Sequence, residues 1–295
     1  MIETPPRHVV MRNFGGLGNR MIRYMVAQRI AHELGGWPVV GYQMPEWGMV
    51  SEVEEPLSGH GFATGWEHRL DLPALARRAV AEQADYVEVD AFGQRLEYFA
   101  ERRAHYAQVF SASPGFPVAD NELAINLRTG DIVNGVHRDY TPLPLAFYHS
   151  LLEQTGLSPV FVGQTEENWY TCALRAQFPD ARYLSGGALA DFQTMRGARH
   201  VVLAVSTFSW LAAWLSDAAE TVHMPLAGLF NPQQRGDIDL VVQGDPRWRF
   251  HAFAPGHFRA SEEQKAVLTS AAARPLAAAE EWAGGPFYMG YTIDS

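Results

Sequence analysis

Short apolar runs alternate along this chain with longer stretches in which apolar residues recur every three or four positions. The first run, His8-Val9-Val10-Met11-Arg12, reads as a strand. Ile22, Met25, Val26, Ile30 and Leu34 then recur at helical spacing until Gly35, Gly36 and Pro38 end the helix. Pro38–Tyr42 reads as a second strand, Pro73–Gln83 as a helix, Tyr86–Val89 as extended, and Arg95–Val109 as a helix with Leu96, Phe99 and Tyr106 inward. Between them, residues 43–72 show little periodicity and read as loops with short strands. In the second half Leu123, Ile125 and Leu127 are spaced two apart, as in a half-buried strand. Helices over Leu145–Gln154, Glu166–Phe178, Leu189–Gly197 and Phe208–Ser216 alternate with strands over Pro159–Gly163, Ala181–Leu184, His200–Val205 and Thr221–Met224. Such alternation builds βαβ units on a parallel sheet, so the class expected is α/β. Ser111–Asp120 has a linker's composition. With a boundary near residue 115, the domains read as 1–115, a Rossmann-like 116–260, and a tail over 261–295 that is helical across Ser261–Trp282 and irregular across Gly284–Ser295.

Composition narrows the function. At 295 residues and 47% hydrophobic the chain supports a large core. Its net charge of −10 argues against a nucleic acid partner and against an anionic membrane surface. A single cysteine, Cys172, has no internal partner and suits a reducing compartment. Met1–Arg7 is polar and Pro-rich, unlike a secretory signal, and the most apolar window, Val201–Leu215, is too short to span a bilayer. A soluble cytoplasmic protein with no transmembrane segment is expected.

Three stretches carry chemistry. Leu123–Asp131 is a strand that ends in Arg-Thr-Gly-Asp, which puts Arg128 at the carboxyl end of a parallel strand, the edge where α/β sheets bind ligands. A guanidinium there matches a pair of phosphate oxygens, and Asp131 adds a carboxylate. Val202–Leu215 is a buried strand running into Ser206-Thr207-Phe208-Ser209 and an apolar helix, so Ser206 or Thr207 caps that helix and its first N–H groups face an anion. With Arg128 at the same edge, the two describe a diphosphate cradle. The third stretch, Asn13–Arg20, is a glycine turn between the first strand and first helix. Gly16-x-Gly18 lacks the third glycine of a dinucleotide fingerprint, and no acidic residue closes the second strand, so the turn reads as backbone N–H groups and Asn19 at a cleft, not an NAD site. Among aromatics, Trp47, Trp66 and His60 are candidates to stack on a sugar.

Phe14–Asn19, Asn126–Asp131 and Ser206–Leu215, with the Asp191–Met195 helix before the last, resemble the signature stretches of the α-1,2-fucosyltransferases, glycosyltransferase family 11, in order and approximate spacing from about residue 12 to 231. The resemblance implies a GT-B architecture, two Rossmann-like domains facing across a cleft with the acceptor on the N-terminal side. It also implies a GDP-sugar donor, most naturally GDP-fucose, and inverting transfer to a glycan or glycoconjugate hydroxyl without a metal or other cofactor. In that pattern Arg128 holds the donor diphosphate and Ser206 and Thr207 assist. Gly16, Gly18, Asn19, Asn126, Gly163, Asp191, Phe208 and Ser209 complete the donor side, with Asp191 suited to the guanine edge. Asp131 is the expected base, ahead of His137, Glu52 and Glu54, and Trp47 and His137 are the acceptor-side candidates. The chain departs from the family at Asn126, where a histidine is usual, at Leu211, where a tryptophan is usual, and at Gly163–Glu166, where the acidic turn differs. Asparagine does not titrate near neutral pH. Two other readings stay open: a different nucleotide-sugar donor, including a metal-dependent reaction on the Asp237-Ile238-Asp239 motif, and a catalytically silent nucleotide-sugar or glycan-binding protein on the same fold.

Overall fold

The computed structural model describes residues 7–270, 277–282 and 285–289. The Pro-rich opening through Pro6, and the irregular stretch expected at Gly284 and over 290–295, lie outside the described residues. The chain divides into two compact units, Met1–Ser111 with Asp237–Leu240, and Ala112–Gly236 with Val241–Ser295. The second unit is thus interrupted by four residues that belong to the first.

In the first unit β1 (His8–Met11) leads through the glycine turn into α1 (Leu17–Glu33), followed by β2 (Val39–Val40), a hairpin of β3 (Gln43–Met44) and β4 (Met49–Val50), then β5 (Gly61–Ala63), α2 (Leu72–Ala81) and β6 (Tyr86–Val89). Strands β2-β1-β6-β5 form one all-parallel sheet. Its core is Val9, Val10 and Met11 against Met21, Ile22, Met25, Val26 and Ile30 of α1, the helical stripe the spacing predicts. Asp71 starts α2 by accepting from Ala74 N–H at 2.9 Å.

The single helix expected over Arg95–Val109 is broken. Two 3-10 turns, Leu96–Tyr98 and Ala100–Arg102, precede α3 (Arg103–Val109). Arg95 bridges Asp239 in parallel, with Leu96 N–H donating to Asp239 O at 2.7 Å, and Phe99 leaves the helical region at φ −140° while burying its ring. A backbone committed to a strand-like bridge cannot also close helical hydrogen bonds.

The second unit runs β7 (Glu122–Leu127), α4 (Leu145–Thr155), β8 (Ser158–Gly163), α5 (Trp169–Gln177), β9 (Arg182–Leu184), α6 (Ala188–Gly197), β10 (His200–Val202), α7 (Thr207–Trp214), β11 (Thr221–Leu226), β12 (Trp248–Ala252), α8 (Glu262–Thr269), β13 (Ala277–Trp282) and β14 (Gly285–Met289). The strand order is β13-β14-β12-β11-β10-β7-β8-β9, parallel throughout except for the antiparallel β13–β14 pair. Both units are therefore parallel α/β, the class expected.

Three elements differ from the expectation. Helix α5 starts at Trp169, not Glu166, because Asn168 closes a capping box with Thr171. Strand β12, with Trp248, Phe250 and His251 buried, escapes a reading of periodicity because its polar partners are also covered by neighbours in the sheet. Of the tail expected to be helical, Glu262–Thr269 is a helix, residues 271–276 lie outside the described residues, and residues 277–282 are a strand, as are residues 285–289. Residues 277–282 of the Ala-rich run pair antiparallel with β14, which in turn pairs with β12, so pairing overrides helix propensity there.

Inside the second unit His223 of β11 and His251 of β12 lie side by side, Nδ1 to Nε2 at 3.0 Å, both buried. Burial pushes both imidazoles down, His223 to about 3, with Arg249 and His200 acting in the same direction on His223. A folded-state value below the unfolded one near 6.5 means that the unfolded chain takes up protons first, so this contribution is full above about pH 6.5 and is lost as pH falls toward 3. The unfolding free energy should drop by on the order of 1 kcal/mol per pH unit between pH 6 and 4 on account of His223 alone. Urea titrations at stepped pH should show a shallower slope in His223→Leu than in the native chain.

Candidate functional site

Strand β7 sits between β10 and β8, with Ala124 opposite Val201, Ile125 opposite Val202 and Leu127 opposite Gly163. In a parallel ladder all three strands end at one edge, so the residues that follow them, Arg128, Gln164 and the turn to Ser206, meet there. Gly163 is required for the meeting: it adopts φ +121°, and a Cβ at this position would lie 2.6 Å from Leu127 O. Gln164 then ties the turn down. Its N–H donates to Leu127 O at 3.1 Å, its Oε1 accepts from Thr129 N–H at 2.9 Å, and its carbonyl accepts from the Thr129 hydroxyl at 2.8 Å.

That turn presents Arg128, whose side chain is 33% exposed and whose Nη2 donates to Asp131 Oδ1 at 2.8 Å. Its Nε is buried and has no hydrogen-bond partner among the described residues. An orphaned charged donor costs free energy unless a ligand oxygen meets it, which marks this guanidinium as unfinished. Asp131 is also 3.6 Å from His137 Nε2, so its carboxylate lies between two potential cations. Helix α7 faces the same edge: Ser206 is its N-cap, accepting from Phe208 N–H at 3.3 Å, and Thr207 is its first residue.

The remaining donor-side candidates separate by what they touch. Asn126 is buried and gives its amide to Val162 O at 3.1 Å, bracing β7 against β8. Ser209 is fully buried, and its hydroxyl donates to Ala204 O and Ser206 O, so it stiffens the turn from behind. Phe208 packs edge-on to Phe192 at 5.4 Å. Asp191, in the first turn of α6, accepts from Gly186 N–H at 2.8 Å, and burial raises its carboxyl above the usual range, with Glu166 adding to the effect.

A second polar group at this edge escaped sequence reading. Asp139 accepts from Gln234 Nε2 at 2.8 Å, pairs with Arg235 at 3.2 Å, and lies 3.4 Å from His257 Nδ1. Tyr140, its neighbour, is pushed up by burial and feels both Arg128 and Arg235. The signal was present in Asn231-Pro-Gln-Gln-Arg235, the polar segment after β11, but its place became legible only once β12 was recognised beside β11.

In the first unit Gly16 is the exposed N-cap of α1, with open space where a side chain would be, while Gly18 is buried within the first turn. Asn19 accepts from Gln94 Nε2 at 3.0 Å and packs against Gly15, which needs φ +80°. Arg20 is held by Gln43 O and Glu46. Behind the turn, Arg23 is buried with its guanidinium 3.2 Å from the Phe14 ring centroid and Nη2 on Val89 O, and burial lowers it to about 9. Trp47, an acceptor-side candidate, is half-buried against Phe110, with ring centroids 5.6 Å apart. Trp66, in contrast, is 63% exposed and packs against Phe14, tilted by 34° with ring centroids 4.6 Å apart. His137 is exposed and belongs to the second unit. The carboxylates of Asp237 and Asp239 face His68 at 3.9 Å and Arg95 at 3.7 Å, and among the described residues no group of three or more His, Cys, Asp or Glu is placed to hold a metal ion. No helix among those residues is long and apolar enough to cross a membrane.

No protein-family model matches the chain, and no curated protein matches it by sequence. Among solved structures it is similar to an arginine-to-lysine mutant of Arabidopsis thaliana FUT1 in complex with GDP, at 12% identity over 76% of this chain and 71% of that one, with a TM-score of 0.48. That likeness assigns this chain neither a ligand nor a reaction. The resemblance to α-1,2-fucosyltransferases accordingly stays with the three stretches that carry it.

Gln164 offers a direct check of the geometry. Gln164→Ala leaves the Thr129 N–H without its acceptor and should cost about 1–3 kcal/mol of stability, whereas Gln164→Glu keeps an acceptor and should recover most of it. Denaturant midpoints of the two variants measure this.

Proposed function

We propose that the chain is an inverting glycosyltransferase that moves a sugar, L-fucose, from a GDP-sugar to a hydroxyl of a glycan or glycoconjugate, without a metal. The observation that carries this reading is the buried, unpartnered Nε–H of Arg128 beside the Ser206-capped start of α7, at the carboxyl edge of adjacent parallel strands. Those donors suit the oxygens of a diphosphate. Asp191, a buried carboxylate in the same unit, suits the N–H edge of guanine.

In the step proposed, the acceptor hydroxyl oxygen bonds to the sugar's anomeric carbon as the bond from that carbon to the phosphate oxygen breaks. The electron pair leaves with GDP, and the hydroxyl proton passes to Asp131. Arg128 and the α7 N–H groups stabilise charge that grows on the leaving diphosphate, which lowers the barrier more than ground-state binding does. A diphosphate drawing on Arg128 also loosens that residue's hold on Asp131, leaving the carboxylate to the acceptor.

A second reading, a protein that binds nucleotide-sugar without turnover, draws support from Asn126. The residue standing where the family carries a titrating histidine is committed to Val162 O. Consumption of GDP-fucose, followed with and without a panel of oligosaccharide acceptors, separates the two readings.

Arg128→Ala should weaken GDP binding by about 2 kcal/mol or more, roughly thirtyfold, and Arg128→Lys should restore only part of it. Calorimetry that finds native GDP affinity in a folded Arg128→Ala protein removes the reading. Asp131→Asn should lower the turnover number at least about a hundredfold while changing GDP affinity little, and transfer should persist in excess EDTA. Loss of transfer on chelation, restored by Mn²⁺, would move the chemistry to Asp237 and Asp239.

A further inference from the structure

The first unit holds a cavity of about 520 Å³ lined by Met11, Arg12, Asn13, Gly41, Gln43, Ser51, Glu52, Val53 and Glu55, well within the range of small-molecule sites. It opens where β1 ends, and its lining is mostly polar, unlike the apolar pockets that take hydrophobic ligands.

Its walls are fixed by contacts that do not involve a ligand. Asn13 bridges the two sides, donating to Gly41 O and accepting from Gln43 N–H at 2.8 Å. Gly41 takes φ +80°, and a Cβ there would lie 2.9 Å from Met11 O, so only glycine lets the chain pass this close. Arg12 is clamped between Glu88, at 2.8 Å, and Glu55. Two carboxylates thus cancel the one cation of the lining, while no hydrogen bond or ion pair engages the Glu52 carboxylate among the described residues. The space is a preformed polar one with an excess of negative charge and with hydrogen-bonding groups, Gln43, Ser51 and Glu52, on its lining.

We propose that this cavity is a saccharide site that selects by charge: it takes a neutral or amino-bearing sugar, whose hydroxyl or ammonium hydrogen donates to Glu52, and turns away a uronate. The inference deepens the proposed transfer reaction by naming the class of sugar that the first unit accepts. An ammonium gains from the carboxylate what a uronate loses, since like charges without a counter-ion repel.

The test uses the full chain and three probes that differ at one group: methyl β-D-galactopyranoside, its 2-amino-2-deoxy analogue, and its uronate. Saturation-transfer NMR titrations should find the neutral and amino sugars binding, with the uronate at least about tenfold weaker than the amino sugar. Glu52→Gln, at an exposed position, should weaken the amino sugar about tenfold and shrink its preference over the uronate. A uronate that binds as well as the neutral sugar, no binding by any of the three, or a selectivity untouched by Glu52→Gln overturns the proposal. GDP calorimetry in the same samples reads the second unit separately. Intact GDP binding with no sugar selectivity removes the saccharide site alone, whereas sugar selectivity without GDP binding removes the transferase reading and leaves the cavity.

Discussion

The second unit depends on the parallel pairing of β7 with β8 and β10. A parallel ladder delivers every strand's carboxyl end to the same edge, and the register sets which residues emerge together. Had β7 slipped by one residue, Asn126 would leave Val162 and Arg128 would turn to the other face of the sheet. The buried amide of Asn126, the obligatory glycine at 163 and the three bonds from Gln164 to Leu127 and Thr129 all oppose that slip. Residues that look like ligand contacts in the sequence act here as the register lock that positions the ones exposed at the edge.

Electrostatics follow from this geometry. A chain with net charge −10 attracts a polyanion only through local donors, and at the edge of β7 these are few and concentrated: one guanidinium with a buried open N–H and the start of α7. Asp131 neutralises the guanidinium across 2.8 Å. The first unit handles its cations differently. Arg12, Arg20 and Arg95 are each paired with glutamates, and Arg23 is buried under Phe14. Those arginines hold walls and turns in place, and the one that lines the first unit's cavity, Arg12, is matched there by glutamates.

What the sequence by itself determined is whatever local physics controls. Periodicity and short apolar runs bounded by turn residues located β1, α1, α2, β6 to β8 and α4 to α7 to within a few residues. It also placed Arg128 just past one strand and Ser206 at a helix start, since strand ends and N-caps are properties of neighbouring residues. Tertiary structure decided the rest. Pairing between Arg95 and Asp239, 144 positions apart, broke a helix that propensity favours, and antiparallel pairing with β14 set Ala277–Trp282 of the Ala-rich tail as a strand. Burial gave Asn126 and Ser209 hydrogen bonds to backbone carbonyls, packing set Trp47 against Phe110, and Trp66 was left open. The Asp139 group and the first unit's cavity could not be read from spacing at all, because each assembles side chains from segments far apart in sequence, and only the packed chain brings their atoms within hydrogen-bonding distance.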